Sequence, residues 1–243
     1  MMRTPVAVTV ALAAATLLTG AAGAQPNPQD VQQAMTPADV LQQLKEGNGR
    51  FVRGEPRKRD SGNEIKATAG GQHPTAAVLG CIDSRIPVEA IFDAGIGDMF
   101  VARVAGNVAD PDIAGSLEFA TKVVGAKVVL VMGHTRCTAV RSACEQVELG
   151  NFTGLLQKIA PAVDAVKGVP GGRDCENEAF VDAAAQENVR LTIHKLREMS
   201  PILKGLEDSH DIMIVGALYD ISTGKVDFLD AECAPGAPPL KGP

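Results

Sequence analysis

The chain has 243 residues, of which 45% are hydrophobic and 21% are charged. That is enough apolar material for one large domain with a buried core, and it excludes a chain that is disordered throughout. The net charge is −6, no long run of basic residues occurs, and the chain has no Trp and one Tyr. A nucleic-acid partner, which requires a basic face or aromatic stacking platforms, is therefore not expected.

The first 24 residues have the pattern of a cleavable signal peptide. Arg3 gives a short positive start, residues 6–20 are uncharged and mostly apolar, and the small residues Ala22 and Ala24 suit signal peptidase. Cleavage after Ala24 would place the mature protein in the periplasm or outside the cell, with no membrane contact. The alternative is an uncleaved membrane anchor, which is disfavoured because the run is short and rich in Ala.

Export would bring the cysteines into an oxidising compartment. The chain has five cysteines, so at least one of them lies outside any intramolecular disulfide. Cys175 and Cys233 are candidates for a disulfide, and Cys144 is expected to be a small buried residue on its helix.

The N-terminal part of the mature chain is predicted to be a flexible leader followed by a helical arm. Residues 25–35 are polar and rich in Pro and Gln, which favours a leader without fixed structure. A helix is expected to begin at Thr36, because Thr36 can cap it and Pro37 suits its first turn. Residues 53–74 are charged and rich in Gly, which indicates a loop.

From residue 76 onwards, short apolar runs alternate with helical patterns. The predicted buried strands are 76–79, 99–102, 128–132 and 212–218, and the predicted helices are 87–93, 112–124, 137–149, 154–166 and 178–199. This alternation predicts a single α/β domain over residues 36–230, with a mainly parallel central sheet flanked by helices. Residues 219–229 are predicted to form a closing hairpin, and residues 231–243 a C-terminal tail.

Three residues in this pattern are candidate metal ligands. Cys81 and His134 each follow a Gly at the end of an apolar run, so both are expected at the carboxyl edge of the sheet, where open α/β sheets place their ligands. Cys137 lies three residues after His134, at the start of the next helix. Two thiolates and one imidazole form a normal zinc set, and three protein ligands leave a position open for water, as in catalytic sites. Cys144 is too far along its helix to be a fourth ligand.

Asp83 and Arg85 are predicted to act beside the metal. A carboxylate two residues from a metal ligand can bind the metal or accept a hydrogen bond from its water. Arg85 can hold that carboxylate in a charge-assisted pair and keep it ionised. The alternative is an ordinary surface ion pair of little energetic value.

Two segments with these residues resemble the β-class carbonic anhydrases. They are Gly80-Cys81-Ile82-Asp83-Ser84-Arg85 and Gly133-His134-Thr135-Arg136-Cys137. Weaker similarity extends over about 36–230, including the segment 97–107, whose Arg103, Gly106 and Asn107 are expected to shape a loop.

The resemblance implies an α/β fold and one zinc ion per chain, held by Cys81, His134 and Cys137. Asp83 and Arg85 would form the catalytic pair, either with Asp83 bound to the zinc or with Asp83 paired to Arg85. The reaction would be reversible hydration of CO2 to bicarbonate and a proton by a zinc-bound hydroxide. The resemblance also implies a homodimer or homotetramer.

The chain departs from the family pattern at three points. Ile82 stands where Ser is usual, which is expected to matter little. Thr138 stands where Gly is usual, so its side chain would either crowd the pocket or point into the helix. The chain also has no Trp for the inhibitory bicarbonate site of some members.

Two other functions remain open on the sequence. A hydrolase of carbonyl sulfide or carbon disulfide resembles this family in fold and metal ligands. In a non-catalytic zinc-binding or redox protein, Cys81 and Cys137 would be oxidised together. A redox pair of cysteines does not require Asp83 and Arg85, so the presence of these two residues argues against this function.

Overall fold

The computed structural model describes residues 26–229. The predicted signal peptide, the predicted C-terminal tail and Cys233 lie outside these residues. The described part forms a single α/β domain around one five-stranded sheet.

The central sheet is parallel except at one edge. Its strands are β1 (Ala76–Gly80), β2 (Met99–Arg103), β3 (Val128–His134), β4 (Met213–Tyr219) and β5 (Val226–Phe228). They lie in the order β2-β1-β3-β4-β5, and only β5 runs antiparallel to its neighbour. The predicted parallel sheet and closing hairpin are therefore confirmed, and β3 extends two residues further than predicted, to include His134.

Helices cover both faces of this sheet. They are α1 (Gln29–Ala34), α2 (Pro37–Arg53), α3 (Ser61–Thr68), α4 (Val88–Ile91), α5 (Pro111–Glu118), α6 (Thr138–Cys144), α7 (Gly150–Ala165), α8 (Glu178–Met199) and α9 (Pro201–Asp208). A 3-10 turn spans Ala105–Asn107, and a π-helical turn, Phe119–Val123, continues α5. Among the described helices, none combines the length and the hydropathy needed to cross a bilayer.

The core has two layers because the strands are buried on both faces. Val78 and Leu130 pack on one face with α2, α6, α7 and the start of α8. Leu79 and Val131 pack on the other face with α5, α9 and the second half of α8. Successive side chains of a strand point to opposite faces of the sheet, so each strand contributes to both layers. Because both faces are buried, the strands appear as continuous apolar runs in the sequence.

Helix α2 begins as the sequence predicts. The Thr36 hydroxyl accepts a hydrogen bond from Asp39 N, and the Asp39 carboxylate accepts one from Thr36 N. This reciprocal pair caps the first turn, and Pro37 occupies the first helical position.

Two predictions on the N-terminal half are wrong. The expected flexible leader contains α1, which is held because the buried Gln32 donates hydrogen bonds to Pro74 O and Val124 O. The expected loop contains α3, which Asp60 caps at Asn63 N. Both helices depend on polar contacts that apolar periodicity does not reveal.

The cysteine pairing also differs from the expectation. Cys144 forms a disulfide with Cys175, and their Cα atoms lie 5.7 Å apart. Cys175 therefore pairs with Cys144 and not with Cys233, because the segment before α8 folds back onto the end of α6. Cys81 and Cys137 are free and buried.

Candidate metal centre

The three predicted ligands converge at the carboxyl edge of the sheet. Cys81 follows β1, His134 is the last residue of the neighbouring strand β3, and Cys137 is the residue just before α6. Their two Sγ atoms and a ring nitrogen of His134 all lie within 4.8 Å of one another, and all three side chains are buried. The adjacent parallel strands deliver Cys81 and His134 to the same edge, and the turn after β3 adds Cys137.

The hydrogen bonding of His134 fits a metal ligand. Its Nδ1 lies 2.9 Å from the carbonyl oxygen of Thr135. Because a carbonyl oxygen only accepts, Nδ1 carries the proton and Nε2 has a free lone pair. That Nε2 is buried and has no hydrogen-bond partner, a costly state for a polar atom unless it binds something. Two buried free cysteines beside it complete a donor set that suits zinc.

The two cysteines share one hydrogen-bonded environment. A hydrogen bond from Cys137 lowers the pKa of Cys81 to about 4, against the effect of burial. The same hydrogen bond raises the pKa of Cys137, and burial adds to this increase. The two sulfurs are therefore close enough to share a proton, and a bound cation would take the place of that proton.

Asp83 lies beside the ligand cluster and is paired with Arg85. Arg85 Nη2 lies 2.7 Å from Asp83 Oδ2, and Arg85 Nε and the Arg85 backbone N–H both donate to Asp83 Oδ1. Asp83 Oδ2 is 4.0 Å from His134 Nε2. Of the two arrangements open on the sequence, the structure shows Asp83 paired to Arg85.

This pairing fixes the charge of Asp83. The side-chain hydrogen bond from Arg85 is the main reason that the pKa of Asp83 is lowered to about 2. Arg85 is half-exposed, with 48% of its side chain accessible, whereas Asp83 is 14% accessible. The carboxylate is therefore ionised across the physiological range, and the site is open to solvent on the Arg85 side.

The loop that delivers Cys81 and Asp83 is held from β2. Arg103, at the end of β2, donates from Nε to Cys81 O at 2.9 Å and from Nη2 to Asp83 O at 2.5 Å. Gly106 N donates to Cys81 Sγ at 3.3 Å. The expectation that Arg103 and Gly106 shape a loop is confirmed, and the loop that they hold carries a candidate ligand.

The loop that delivers His134 and Cys137 is held from α8. Arg136 lies between the two ligands with φ of 53°, a left-handed conformation that a non-Gly residue rarely adopts. Its backbone N donates to Asp182 Oδ1 at 2.6 Å, and its carbonyl accepts from Arg85 Nη2 at 3.4 Å. This last contact joins the two loops.

The two substituted positions are exposed. Ile82 is 63% accessible, and Thr138, the first residue of α6, also faces solvent. The sequence did not single out Asp182 or Asn188 on α8. Asn188 had a detectable signal, since it is a polar residue on the buried, apolar stripe of an amphipathic helix.

Similarity to known proteins agrees with this geometry. The family model for carbonic anhydrases matches residues 76–226. Carbonic anhydrase 2 of Mycobacterium tuberculosis is 36% identical over 200 residues, which cover 80% of this chain and 93% of that protein. The chain belongs to the carbonic anhydrase family. Because the matched segment contains both loops, the candidate metal centre lies within the part that defines this membership.

Solved structures place the fold in the β class of carbonic anhydrases. The β-carbonic anhydrase CafA of Aspergillus fumigatus superposes with a TM-score of 0.62 at 24% identity, over 82% of this chain and 91% of that one. A structure from a study of two tetrameric β-carbonic anhydrases of Sordaria macrospora gives 0.60 at 22% identity, over 79% of this chain and 95% of that one. The predicted fold and family are thus confirmed.

Proposed function

We propose that this β-class carbonic anhydrase catalyses the reversible hydration of CO2 to bicarbonate and a proton, with one zinc ion per chain held by Cys81, His134 and Cys137. The observation that carries the proposal is the buried set of three donors with an ionised carboxylate beside it, 4.0 Å from His134 Nε2. Three protein donors leave a position for water, which distinguishes a catalytic zinc site from a structural one.

The residues around that position have separate roles. Zinc, when bound, supplies a Lewis acid that makes water nucleophilic near neutral pH. Asp83 accepts a hydrogen bond from the attacking water and so directs a lone pair towards CO2. Arg85 orients Asp83 through two side-chain hydrogen bonds. Because the pKa of Asp83 is about 2, Asp83 acts as a fixed hydrogen-bond acceptor and not as the group that carries the product proton to solvent.

The alternative functions have less support. A redox protein would use Cys81 and Cys137 as its disulfide, whereas these two cysteines are free and the disulfide lies between Cys144 and Cys175. Hydrolysis of carbonyl sulfide or carbon disulfide would need the same donors, so the geometry alone does not favour it. The curated relative from Mycobacterium tuberculosis is named as a carbonic anhydrase, which favours CO2 as the substrate.

We also propose that the chain assembles as a homodimer or homotetramer. Strand β2 forms one edge of the sheet, and the π-helical turn beside it exposes Phe119 and Val123. An uncovered strand edge next to apolar side chains favours pairing with a second copy. The structural relatives from Sordaria macrospora are described as tetrameric. Light scattering of the purified protein tests this, and a monomer at micromolar concentration contradicts it.

The protein is further proposed to be exported, with residues 1–24 removed as a signal peptide. The disulfide between Cys144 and Cys175 supports this, because disulfides persist in oxidising compartments and are rare in the cytosol. N-terminal sequencing of the protein recovered from the periplasm or the medium tests the proposal. A mature chain that begins at Gln25 supports it, and an intact N-terminus contradicts it.

The catalytic proposal is tested by stopped-flow CO2 hydration with protein that contains one zinc ion per chain. Asp83→Ala should retain the zinc and reduce kcat by about a hundredfold or more, since it removes the group that directs the water. Ser84→Ala, at an exposed neighbour in the same loop, is the control and should turn over like the wild type. Zinc-loaded wild type that hydrates carbonyl sulfide or carbon disulfide but not CO2 would overturn the assignment.

A further inference from the structure

Asn188 is a buried polar residue that is neither a candidate metal ligand nor a member of the Asp83–Arg85 pair. It lies on α8, and only 2% of its surface is accessible. Its Nδ2 donates a hydrogen bond of 2.6 Å to Gly106 O, 82 residues away in sequence. A buried amide on an apolar helix face is costly unless its hydrogen bond has a purpose.

Gly106 is the residue whose backbone contacts the candidate ligand Cys81. Its N–H donates to Cys81 Sγ at 3.3 Å. Gly106 has φ of 66°, and the next residue, Asn107, also has positive φ, at 44°. Gly adopts this conformation readily, whereas Asn107 does so only at some cost, which the surroundings must offset.

Packing and Asn188 hold this turn from two sides. A Cβ at position 106 would lie 2.4 Å from Ile159 Cδ1 and 3.6 Å from Ala139 Cβ, so side chains of α7 and α6 pack directly against the turn. The peptide between Gly106 and Asn107 is hydrogen-bonded at both of its polar groups: Asn107 N–H donates to Val104 O at 2.9 Å, and Gly106 O accepts from Asn188. The bond from Asn188 is the one that ties this peptide to a different element, α8, while the N–H of the preceding peptide is aimed at the sulfur.

We propose that Asn188 is a positioning residue of the metal centre: it fixes the Gly106 turn so that Gly106 N–H donates to the Cys81 thiolate. The inference rests on the zinc site of the proposed function. A hydrogen bond to a ligating thiolate orients the sulfur and withdraws electron density from it, and groups that support metal ligands in this way affect affinity strongly. Asn188 thus links α8, in the C-terminal half, to the ligand that follows β1.

The first test compares Asn188→Leu with Thr192→Val. Leu has nearly the shape of Asn but cannot donate, and Thr192 is a buried residue one turn further along α8. Competition with a chelator should show that Asn188→Leu weakens Zn²⁺ binding by about tenfold or more. In the Co²⁺-substituted protein, the thiolate-to-metal charge-transfer band should move to lower energy, because the sulfur has lost a hydrogen bond. Thr192→Val should change neither quantity.

The outcomes separate this inference from the proposed function. Wild type that fails to bind Zn²⁺ or to hydrate CO2 contradicts the proposed function. Active wild type with unchanged Zn²⁺ affinity and an unchanged charge-transfer band in Asn188→Leu contradicts the role of Asn188, even if that variant is less stable. Should Asn188→Leu not fold, the ¹¹³Cd-substituted wild type decides: a coupling between the metal and the Gly106 amide proton is expected, and its absence overturns the inference.

Discussion

The two loops that deliver the metal ligands are built in different ways. The loop of residues 81–86 carries one ligand and the Asp83–Arg85 pair, and residues distant in sequence hold it: Arg103 binds two of its carbonyls, and Gly106 binds its thiolate. The loop of residues 134–137 carries two ligands three residues apart, because β3 ends at the first ligand and α6 begins directly after the second. Distant residues also contact its backbone, since Thr135 N donates to Tyr219 O and Arg136 N donates to Asp182 Oδ1. Local structure therefore sets the spacing of the two ligands in the second loop, whereas tertiary contacts hold the first loop.

The largest expected effect comes from removing a ligand from either loop. Cys81→Ala and Cys137→Ala should each lose zinc and reduce CO2 hydration by more than about a thousandfold, because a nucleophile near neutral pH depends on the metal. Zinc content is measured by elemental analysis of the purified variants, and rates by stopped flow. Thr138→Ala, next to Cys137 and exposed, is the control and should keep both. Retention of one zinc per chain by either Cys variant would show that the ligand set is misassigned.

The contrast between the loops also explains what the sequence could predict. The spacing of His134 and Cys137, together with the apolar run before them, was sufficient to place both at one sheet edge, because a strand end and a helix start are local features. The position of Cys81 could be predicted for the same reason. The bracing by Asn188 and Asp182 could not, since it depends on how α8 packs against the sheet.

The same distinction holds for the rest of the fold. The four parallel strands and helix α8 were predictable, because long apolar runs and a strong helical period identify buried elements. Helix α1 was missed because it is held by side-chain hydrogen bonds from Gln32. The disulfide was assigned to the wrong partner because cysteine pairing is set by the path of the chain and not by its spacing.

A smaller effect is expected at Asp182, which holds the second loop from α8 through the backbone of Arg136. Arg136 has a conformation that costs about 1 kcal/mol or more, and the Asp182 carboxylate accepts from its backbone N–H. Asp182→Ala should weaken Zn²⁺ binding by about tenfold, measured by chelator competition. Asp182→Asn keeps an acceptor oxygen and should bind like the wild type, as should Glu178→Gln, which changes only an exposed partner of Arg136. Equal affinities in all three variants would mean that the contact with Asp182 does not shape the metal site.

The stability of the Asp182→Asn variant relative to the wild type should also depend on pH. Burial raises the pKa of Asp182 above its usual 3.8. A group whose pKa is higher in the folded state favours folding below its unfolded pKa, and this contribution is lost as pH rises through the folded value. Asp182→Asn should therefore be more stable than the wild type near neutral pH, and the difference should vanish below about pH 4. Urea unfolding at several pH values measures this, and a difference that is independent of pH would contradict the assignment.

The smallest effect on the metal centre is expected from the disulfide, although it lies on the helix that begins beside Cys137. Cys144→Ser with Cys175→Ser opens a link between residues 31 apart, which should reduce the free energy of unfolding by up to about 4 kcal/mol on the chain-entropy model. The far end of α6 is also tied to the segment before α8 by Arg141 and Glu176, whose side chains lie 3.1 Å apart. Below the melting temperature, zinc affinity and kcat should therefore stay within about twofold of the wild type. Neither loop contacts the disulfide directly, and free-energy changes at distant sites without shared partners are largely independent of one another. A loss of zinc affinity comparable to that of Asp182→Ala would show instead that the second loop depends on distant contacts as much as the first.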